Sequence, residues 1–323
     1  MKNKIAVVIP CYRVCDHIDE VIGKIPKNVW RIYCVDDACP ENCGDHVESS
    51  IRDERIRVLC HKTNQGVGGA VITGYKAAIE DGADIIVKLD GDGQMDPALI
   101  PAFVRPIEQE QCDYTKGNRF YRVGDAGDMP GIRLFGNAAL SFLTKLSSGY
   151  WHLFDPTNGY TAIHAAVLRE LPLDKLDKGY FFESDMLFRL NTVHASIQDI
   201  PMKAVYGDEK SNLKVGKVIW PFFKGHMRNF FKRIIYNYFL RDFNIASLEL
   251  VFGLIFFGFG VWFGLASWAE ASAAGEPASA GTVMLSALPV ILGVQFLLSF
   301  LQYDISATPK SPLHAHLYHQ PWK

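Results

Sequence analysis

The chain has no cysteine after Cys112, no Cys-x-x-Cys pair, and an odd total of seven. A disulfide framework needs paired cysteines in an oxidising compartment, so none is expected. Cys11/Cys15 and Cys39/Cys43 have a four-residue spacing that suggests zinc, but no Cys-x-x-Cys pair completes a site. The thiols are therefore read as reduced groups of a cytoplasmic domain. Net charge is also nearly absent, at −2 over 323 residues, which excludes a generally basic nucleic-acid binder. The 49% apolar content excludes a disordered chain. Neither Gly-x-Gly-x-x-Gly nor the Gly-Lys-Ser/Thr of a P-loop occurs in the glycine-rich stretch Asn64–Ala70. The first apolar run, Ile5–Ile9, stops at Pro10 and is too short for a signal-peptide core. There is no internal repeat. Ionisable residues nearly vanish from two late runs: Leu248–Trp268 holds only Glu249, and Val283–Tyr303 holds none.

What is present in the first two thirds alternates in period. Strand patterns over 5–9, 31–35, 55–59 and 84–89 alternate with helical patterns over 16–25, 44–51 and 68–81. That alternation predicts βαβ units, hence an α/β fold with a mostly parallel sheet and helices on both faces. A further strand is expected over 200–206. Ligands of open α/β sheets bind beyond the carboxyl ends of strands. Pro10-Cys11-Tyr12, Asp36-Asp37, His61–Gly69 and Asp90-Gly91-Asp92 all fall at such ends.

The stretch Lys88-Leu89-Asp90-Gly91-Asp92-Gly93-Gln94-Met95-Asp96-Pro97 follows a buried-strand pattern. Two carboxylates one residue apart in a glycine turn suit a hard cation, Mg²⁺ or Mn²⁺, that in turn carries a diphosphate. Asp96 before Pro97 reads as a helix cap. Asp36-Asp37 suits either a turn or hydrogen bonding to a base or ribose. Asn64–Ala70 offers backbone N–H groups to phosphate, or glycine for close strand–helix packing.

Val7-Val8-Ile9-Pro10-Cys11-Tyr12, Val35-Asp36-Asp37, Asn64-Gln65-Gly66 and Asp90–Pro97 occur in an order that resembles family 2 glycosyltransferases of the GT-A fold. The Asp90–Pro97 string is most similar to the polyprenyl-phosphate sugar synthases, the dolichyl-phosphate mannose synthase group. The resemblance covers residues 5 to about 215 and implies an inverting transfer from a nucleotide-diphosphate sugar. It places Pro10, Tyr12, Val35 and Asp37 around the nucleoside, and Asp90, Gly91, Asp92 and Gln94 at the metal and diphosphate. It places the lipid phosphate against Arg119, Arg133 and Asn137. Asp155–Tyr160 resembles the acceptor-side Asp-Pro-Thr-Ser-Gly segment. Lys178–Asp185 resembles the acidic segment, with Asp185 as acceptor-side carboxylate; Asp92, Arg119 and Asp185 are then the catalytic set. Lys210 and Lys214 belong to a loop that resembles the one closing over the diphosphate. Arg13-Val14 and Ala38-Cys39 depart from the family's pattern beside the nucleoside, and UDP is favoured over GDP.

Beyond residue 215 the character changes. Residues 216–245 mix aromatic residues with Lys217, Lys224, Arg228, Lys232, Arg233 and Arg241, as interfacial helices do. Residues 246–305 contain two spans, about 248–268 and 283–303, each long enough for a hydrocarbon core. The loop between them has no Lys or Arg, so both termini and the catalytic domain (1–215) are expected on the cytoplasmic side of the inner membrane. Residues 306–323 form a cytoplasmic tail, in which His314, His316 and His319 read as part of a flexible segment. The expected partners are a nucleotide sugar, a polyprenyl (undecaprenyl or dolichyl) phosphate and membrane lipids, with no nucleic acid; a homo-oligomer is left open. Two rival readings stand beside this one. The first is a membrane transferase that extends a saccharide, with Asp185 as general base. The second is a non-enzymatic assembly partner with a degenerate transferase domain.

Overall fold

The computed structural model describes residues 3–121, 131–203 and 215–317. They divide into a catalytic unit, 1–231 with 309–323, and a helical unit, 232–308.

The first half of the catalytic unit alternates β1 (Ile5–Cys11), α1 (Cys15–Gly23), β2 (Arg31–Asp36), α2 (Cys43–Ser50), β3 (Ile56–Cys60), α3 (Val67–Glu80) and β4 (Ile85–Lys88). There follow α4 (Ile100–Glu108), β5 (Tyr114–Asn118), α5 (Gly131–Ser148), β6 (Thr161–His164), α6 (Ala165–Glu170), α7 (Phe182–Thr192) and β7 (Ile197–Pro201). The seven strands form one sheet in the order β3-β2-β1-β4-β6-β5-β7. All neighbours run parallel except β6, which is antiparallel to β4 and β5. Because β6 reverses, β4 and β5 point the same way, and the N-terminal end of β6 meets their carboxyl ends. The chain segments after β1, β2, β3, β4 and β5, and before β6, therefore share one sheet edge.

The alternation is apolar because both faces are covered. Val8, Tyr33, Val35 and Ile86 face one core with α3 and α7; Val7, Ile9, Ile32 and Val87 face the other with α1 and α4. Strand β6 had no clear pattern of its own: Thr161-Ala162-Ile163-His164 is short and follows a polar segment. The last strand runs 197–201, earlier than expected, and residues 204–206 lie outside the described part.

Residues 313–317 are not a loose tail, and His319, expected in the same segment, lies outside the described residues. Residues 314–317 form the short helix α11 (His314–Leu317), and Asp113 at the start of β5 gathers it in. Buried Asp113 accepts from Leu313 N and His314 N, both at 2.8 Å, and lies 2.7 Å from His314 Nδ1. The His314 ring stacks on His164, with centroids 4.3 Å apart. Burial pushes Asp113 upward, but the His314 contact and the N–H donors outweigh it and hold the carboxyl below its usual range.

Burial pushes His164 down to about 4, and His314 adds to the shift. Burial likewise brings His226 to about 4; its Nδ1 contacts Ser147 Oγ at 2.8 Å. Both stay neutral when folded but gain a proton near 6.5 when unfolded. Between pH 6.5 and 4 the unfolded state thus binds more protons, and stability falls as pH falls. At pH 5 the loss is about 2 kcal/mol per histidine. Urea midpoints of the catalytic unit, followed by near-UV circular dichroism, should drop from pH 7.5 to pH 5, and less in His226→Phe. Equal midpoints at both pH values would contradict this.

After α7 and β7 comes α8 (Val215–Ile235), then a π-helical turn Tyr236–Arg241, α9 (Ile245–Ala274) and α10 (Ala280–Ser306). Helices α9 and α10 are each long and apolar enough to cross a membrane. They pack closely because a side chain at Gly260 would strike Ser286 and Val290, and one at Gly293 would strike the Phe257 backbone. Arg233 was expected among the cations of an interfacial helix, facing lipid headgroups. It is instead buried in the helical unit, in a fork on Asp304 at 2.5 and 3.0 Å, with Tyr238 Oη donating to the same carboxylate at 2.6 Å. A cation whose charge is met by a carboxylate can be buried where a lone one cannot.

Candidate active site

Strand β4 ends on Lys88, and the acidic turn begins two residues later. Gly93 has φ of +77°, a left-handed conformation that glycine adopts without strain. Asp92 Oδ1 accepts from Gln94 N at 3.0 Å, which folds the turn back toward the sheet. Asp96 caps the next turn by accepting from Ala98 N at 2.9 Å. Tyr160 anchors that turn to β6: its hydroxyl donates to the Asp96 carbonyl at 3.1 Å, and its ring stacks on Phe103.

Sequence reasoning missed the group that organises this turn. Lys88 is buried, with Nζ 2.9 Å from Asp90 Oδ1 and 3.1 Å from Glu183 Oε1 at the start of α7. Burial alone would push the ammonium down; the Asp90 and Glu183 carboxylates outweigh it and hold its pKa above the usual lysine value. A lysine ending the apolar run Ile85-Ile86-Val87 was the available signal, since buried lysine requires compensating charge. Gly159 walls the cluster, because a side chain there would meet Lys88 Nζ and Asp90 Oδ2. On the same face Lys88 and Lys116 both pair with Thr161 of β6. Burial brings Lys116 down to about 8, against the pull of Asp155 and Glu183, and its Nζ donates to the Asn158 carbonyl.

The acidic turn fits a hard divalent cation. Asp90 Oδ1 is buried and in charge contact with Lys88, yet it accepts no hydrogen bond among the described residues. Asp92 and Gln94, two and four residues further along the turn, are partly exposed and carry further oxygen atoms of the type such a cation takes.

Arg119 follows β5. Its Nε and Nη2 donate to Asp155 Oδ2 and Oδ1 at 2.8 and 3.0 Å, and its backbone N to Oδ2 at 3.2 Å. Asp155 is buried, and Asn158 Nδ2 also reaches it at 3.3 Å. This fork fixes the plane of a guanidinium that remains about one third exposed. An apolar hollow opens beside it, lined by Phe120, Ala138, Leu140, Phe154 and Pro156. Arg133 and Asn137 are one helical turn apart on α5; their side chains lie outside the described part, as do Lys210 and Lys214 altogether.

Several expected ligands turn out to be framework. Asp37 is buried and engaged by His61 Nδ1, Gln65 N and Gly66 N at 2.7, 2.8 and 2.8 Å. It orders the glycine turn beside the pocket. Gly69 N donates to the Lys178 carbonyl, and side chains at Gly66 or Gly68 would strike residues 177–178. The glycines thus serve close loop–loop approach, and these N–H groups are not directed at a phosphate. Val35 is wholly buried beneath the edge, whereas Tyr12 projects at it with the Arg13 guanidinium over its ring. Pro10 lies between them, partly exposed.

Asp185 does not fit the role expected of it. It is fully buried, in a salt bridge with Arg189 at 3.0 Å, and accepts from Asn229 Nδ2 and Asp177 N at 3.0 and 3.1 Å. Its neighbour two residues earlier, Glu183, is the one that reaches the acidic turn. A helix rotates successive residues by about 100°, so two carboxylates two apart face opposite sides.

A mostly parallel sheet of seven strands, with carboxylates and an arginine gathered at its carboxyl edge, is the architecture of the GT-A fold. The glycosyl transferase family 2 profile matches residues 6–172, and the chain belongs to that family. Undecaprenyl-phosphate mannosyltransferase of Micrococcus luteus is 30% identical over 206 residues, covering 62% of this chain and 84% of that one. UDP-N-acetylglucosamine–dolichyl-phosphate N-acetylglucosaminyltransferase of Methanococcus voltae is 30% identical over 216 residues, covering 62% and 86%. Among solved structures, glucosyl-3-phosphoglycerate synthase of Mycobacterium tuberculosis, in complex with Mn²⁺, UDP and phosphoglyceric acid, has the same fold. Its TM-score is 0.54 at 18% identity, over 72% of this chain and 78% of that one.

Proposed function

We propose that this glycosyltransferase moves a sugar from a nucleotide-diphosphate donor, UDP in preference to GDP, onto a polyprenyl phosphate, with inversion at the anomeric carbon. The observation that carries the reading is the Arg119–Asp155 fork beside an apolar hollow, on the same sheet edge as Asp90 and Asp92. An anion with an apolar chain fits that pairing. Both relatives named above act on polyprenyl phosphates, and the Methanococcus enzyme takes a UDP-sugar.

Asp90, Asp92 and Gln94 would hold the divalent cation, Mg²⁺ or Mn²⁺, which supplies charge to balance the departing diphosphate. Lys88 fixes Asp90 against the sheet. Tyr12 and Pro10 receive the base, over a floor made by Val35 and Asp37. Lys210 and Lys214, outside the described residues, would supply positive charge to the diphosphate. Arg119, with Arg133 and Asn137, orients the acceptor phosphate for attack from the opposite face. That phosphate is already ionised near neutral pH, so no general base is required. The saccharide-extending reading needs one, and buried, ion-paired Asp185 does not serve.

Helix α8 supports catalysis at a membrane surface. Ile219, Phe223, Met227, Phe231 and Ile235 form an apolar stripe, exposed at all but Met227, beside exposed Lys224, Arg228 and Lys232. That pattern suits an anionic lipid interface. Asn229 of α8 bonds to Asp185, and Leu313 and His314, after the two apolar helices in sequence, bond to Asp113, all within the catalytic unit; this supports both flanks of the two spans lying on one side. The loop between the spans has no Lys or Arg, which supports that side being cytoplasmic.

The test is a donor and acceptor screen with the purified chain, read by mass spectrometry of the lipid extract. One sugar on polyprenyl phosphate is expected; transfer only to a saccharide would overturn the reading. Arg119→Ala should raise KM for the lipid phosphate on the order of tenfold to a hundredfold, the size of a lost charge-assisted hydrogen bond. An unchanged KM would remove Arg119 from the acceptor site.

A further inference from the structure

The loops after β1 and β2 bring together sulfur and carboxylate donors that the transfer chemistry does not use. Cys15 opens α1, Cys43 opens α2, and Glu41 precedes it in the loop. Cys15 Sγ, Cys43 Sγ and a Glu41 carboxylate oxygen all lie within 4.8 Å of one another. Cys39 Sγ is 3.1 Å from Cys43 Sγ and accepts a hydrogen bond from Arg13 N, also at 3.1 Å. The fold thereby regroups the cysteines away from their sequence spacing. Cys11 turns inward and donates to the Ile9 carbonyl, and its place beside Cys15 is taken by Cys43.

The backbone around these donors is unusual. Arg13, Ala38 and Asn42 have φ of 57°, 52° and 50°, a left-handed conformation that costs a non-glycine residue roughly 1–2 kcal/mol. Each adjoins or lies within a donor-bearing loop. Thiolates with one carboxylate are a soft donor set, unlike the all-oxygen set at Asp90 and Asp92. A tetrahedral zinc ion with Zn–S of about 2.3 Å needs donors about 3.8 Å apart. The three donors lie within 4.8 Å of one another, which leaves that spacing within reach.

We propose that Cys15, Glu41 and Cys43 bind a soft divalent cation of the zinc class. The site draws one donor from the β1–α1 side and two from the β2–α2 side, with Cys39 bordering it through Cys43 Sγ. It clamps the β1–α1 loop, which carries Tyr12, to the β2–α2 loop, which begins at Asp37. Where the donor-pocket reading above holds, the clamp sets the distance between two pocket walls; the metal site itself does not depend on that reading.

The experiment uses the full chain in detergent, purified without chelator and dialysed against limiting zinc. Inductively coupled plasma mass spectrometry should find one tightly held zinc per chain in the wild type and in Asp92→Ala. Cys15→Ser/Cys43→Ser should hold none above background. Cobalt in place of zinc should give sulfur-to-metal charge-transfer absorption in the wild type. A measurement on the unmodified chain covers the case in which the double variant fails to fold. There, zinc should protect Cys15 and Cys43 from alkylation in a peptide map, and chelator should remove the protection. A wild type without tightly held zinc, alkylation that zinc does not slow, or a metal-free Cys39–Cys43 disulfide would each overturn the proposal. Zinc retained by a folded double variant would do so too.

Discussion

The Asp92→Ala variant is expected to transfer sugar on the order of a thousandfold more slowly than the wild type, as when an electrostatic stabiliser of a transition state is removed. Its fold should survive. Asp92 lies partly exposed on the turn and accepts from Gln94 N, a charge-assisted contact whose loss costs about 1.5–3 kcal/mol at most. Asp90 makes a useful contrast, because it also balances buried Lys88, so Asp90→Ala should lose both stability and activity. Initial rates at saturating donor, with Mg²⁺ or Mn²⁺ supplied, and urea midpoints in the same detergent separate the two outcomes. Chelator should reduce the wild type to a similar rate, and added Mn²⁺ should restore it; Asp92→Ala should respond to neither. Wild-type rates in the purified variant would remove Asp92 from the site.

The parallel half of the sheet was legible because β1, β2 and β4 are buried on both faces and, with the half-exposed edge strand β3, read as short apolar runs between helical patterns. Strand β6 was not, since four residues after a polar loop carry too little periodicity to distinguish strand from turn. Yet β6 is what brings Asp155 and Asn158 to the edge that holds Asp90. The acidic turn was legible from local spacing alone: Asp90, Asp92 and the Asp96 cap need only ten neighbouring residues. The Lys88–Glu183 contact joins residues 95 apart in sequence. No local pattern encodes such a pair, though a lysine at the end of Ile85-Ile86-Val87 marked the place to look.

Asp37 and Asp185 show the converse. Both are carboxylates at positions where the family's pattern suggests a ligand, and both are buried among hydrogen-bond donors that order loops. Composition cannot separate a carboxylate that binds from one that braces. The difference lies in which backbone N–H groups come within reach, and that is decided by tertiary contacts. His314 of the last segment belongs to the same class. His314 looked like part of a loose tail until Asp113, 201 residues away, supplied its partner.

Lys88→Met should cost about 3–5 kcal/mol of stability, the loss expected when one member of a buried ion cluster is removed. It leaves Asp90 and Glu183 facing each other without the cation between them. Transfer should fall sharply as well, because Asp90 is then held by neither charge nor hydrogen bond at the position that the diphosphate requires. Raising the pH should not mimic the variant within an assay range, since the two carboxylates keep Lys88 protonated beyond the usual lysine value. The double variant Lys88→Met/Glu183→Gln distinguishes positioning from simple support of the fold. Neutralising Glu183 removes one of the two stranded charges, so it should recover roughly 1–3 kcal/mol, a coupling typical of contacting residues. It returns no cation to Asp90, so transfer should stay low. If transfer recovered in step with stability, Lys88 would act on the fold alone. If Lys88→Met were as stable as the wild type, the charge cluster would not be what holds the acidic turn to the sheet.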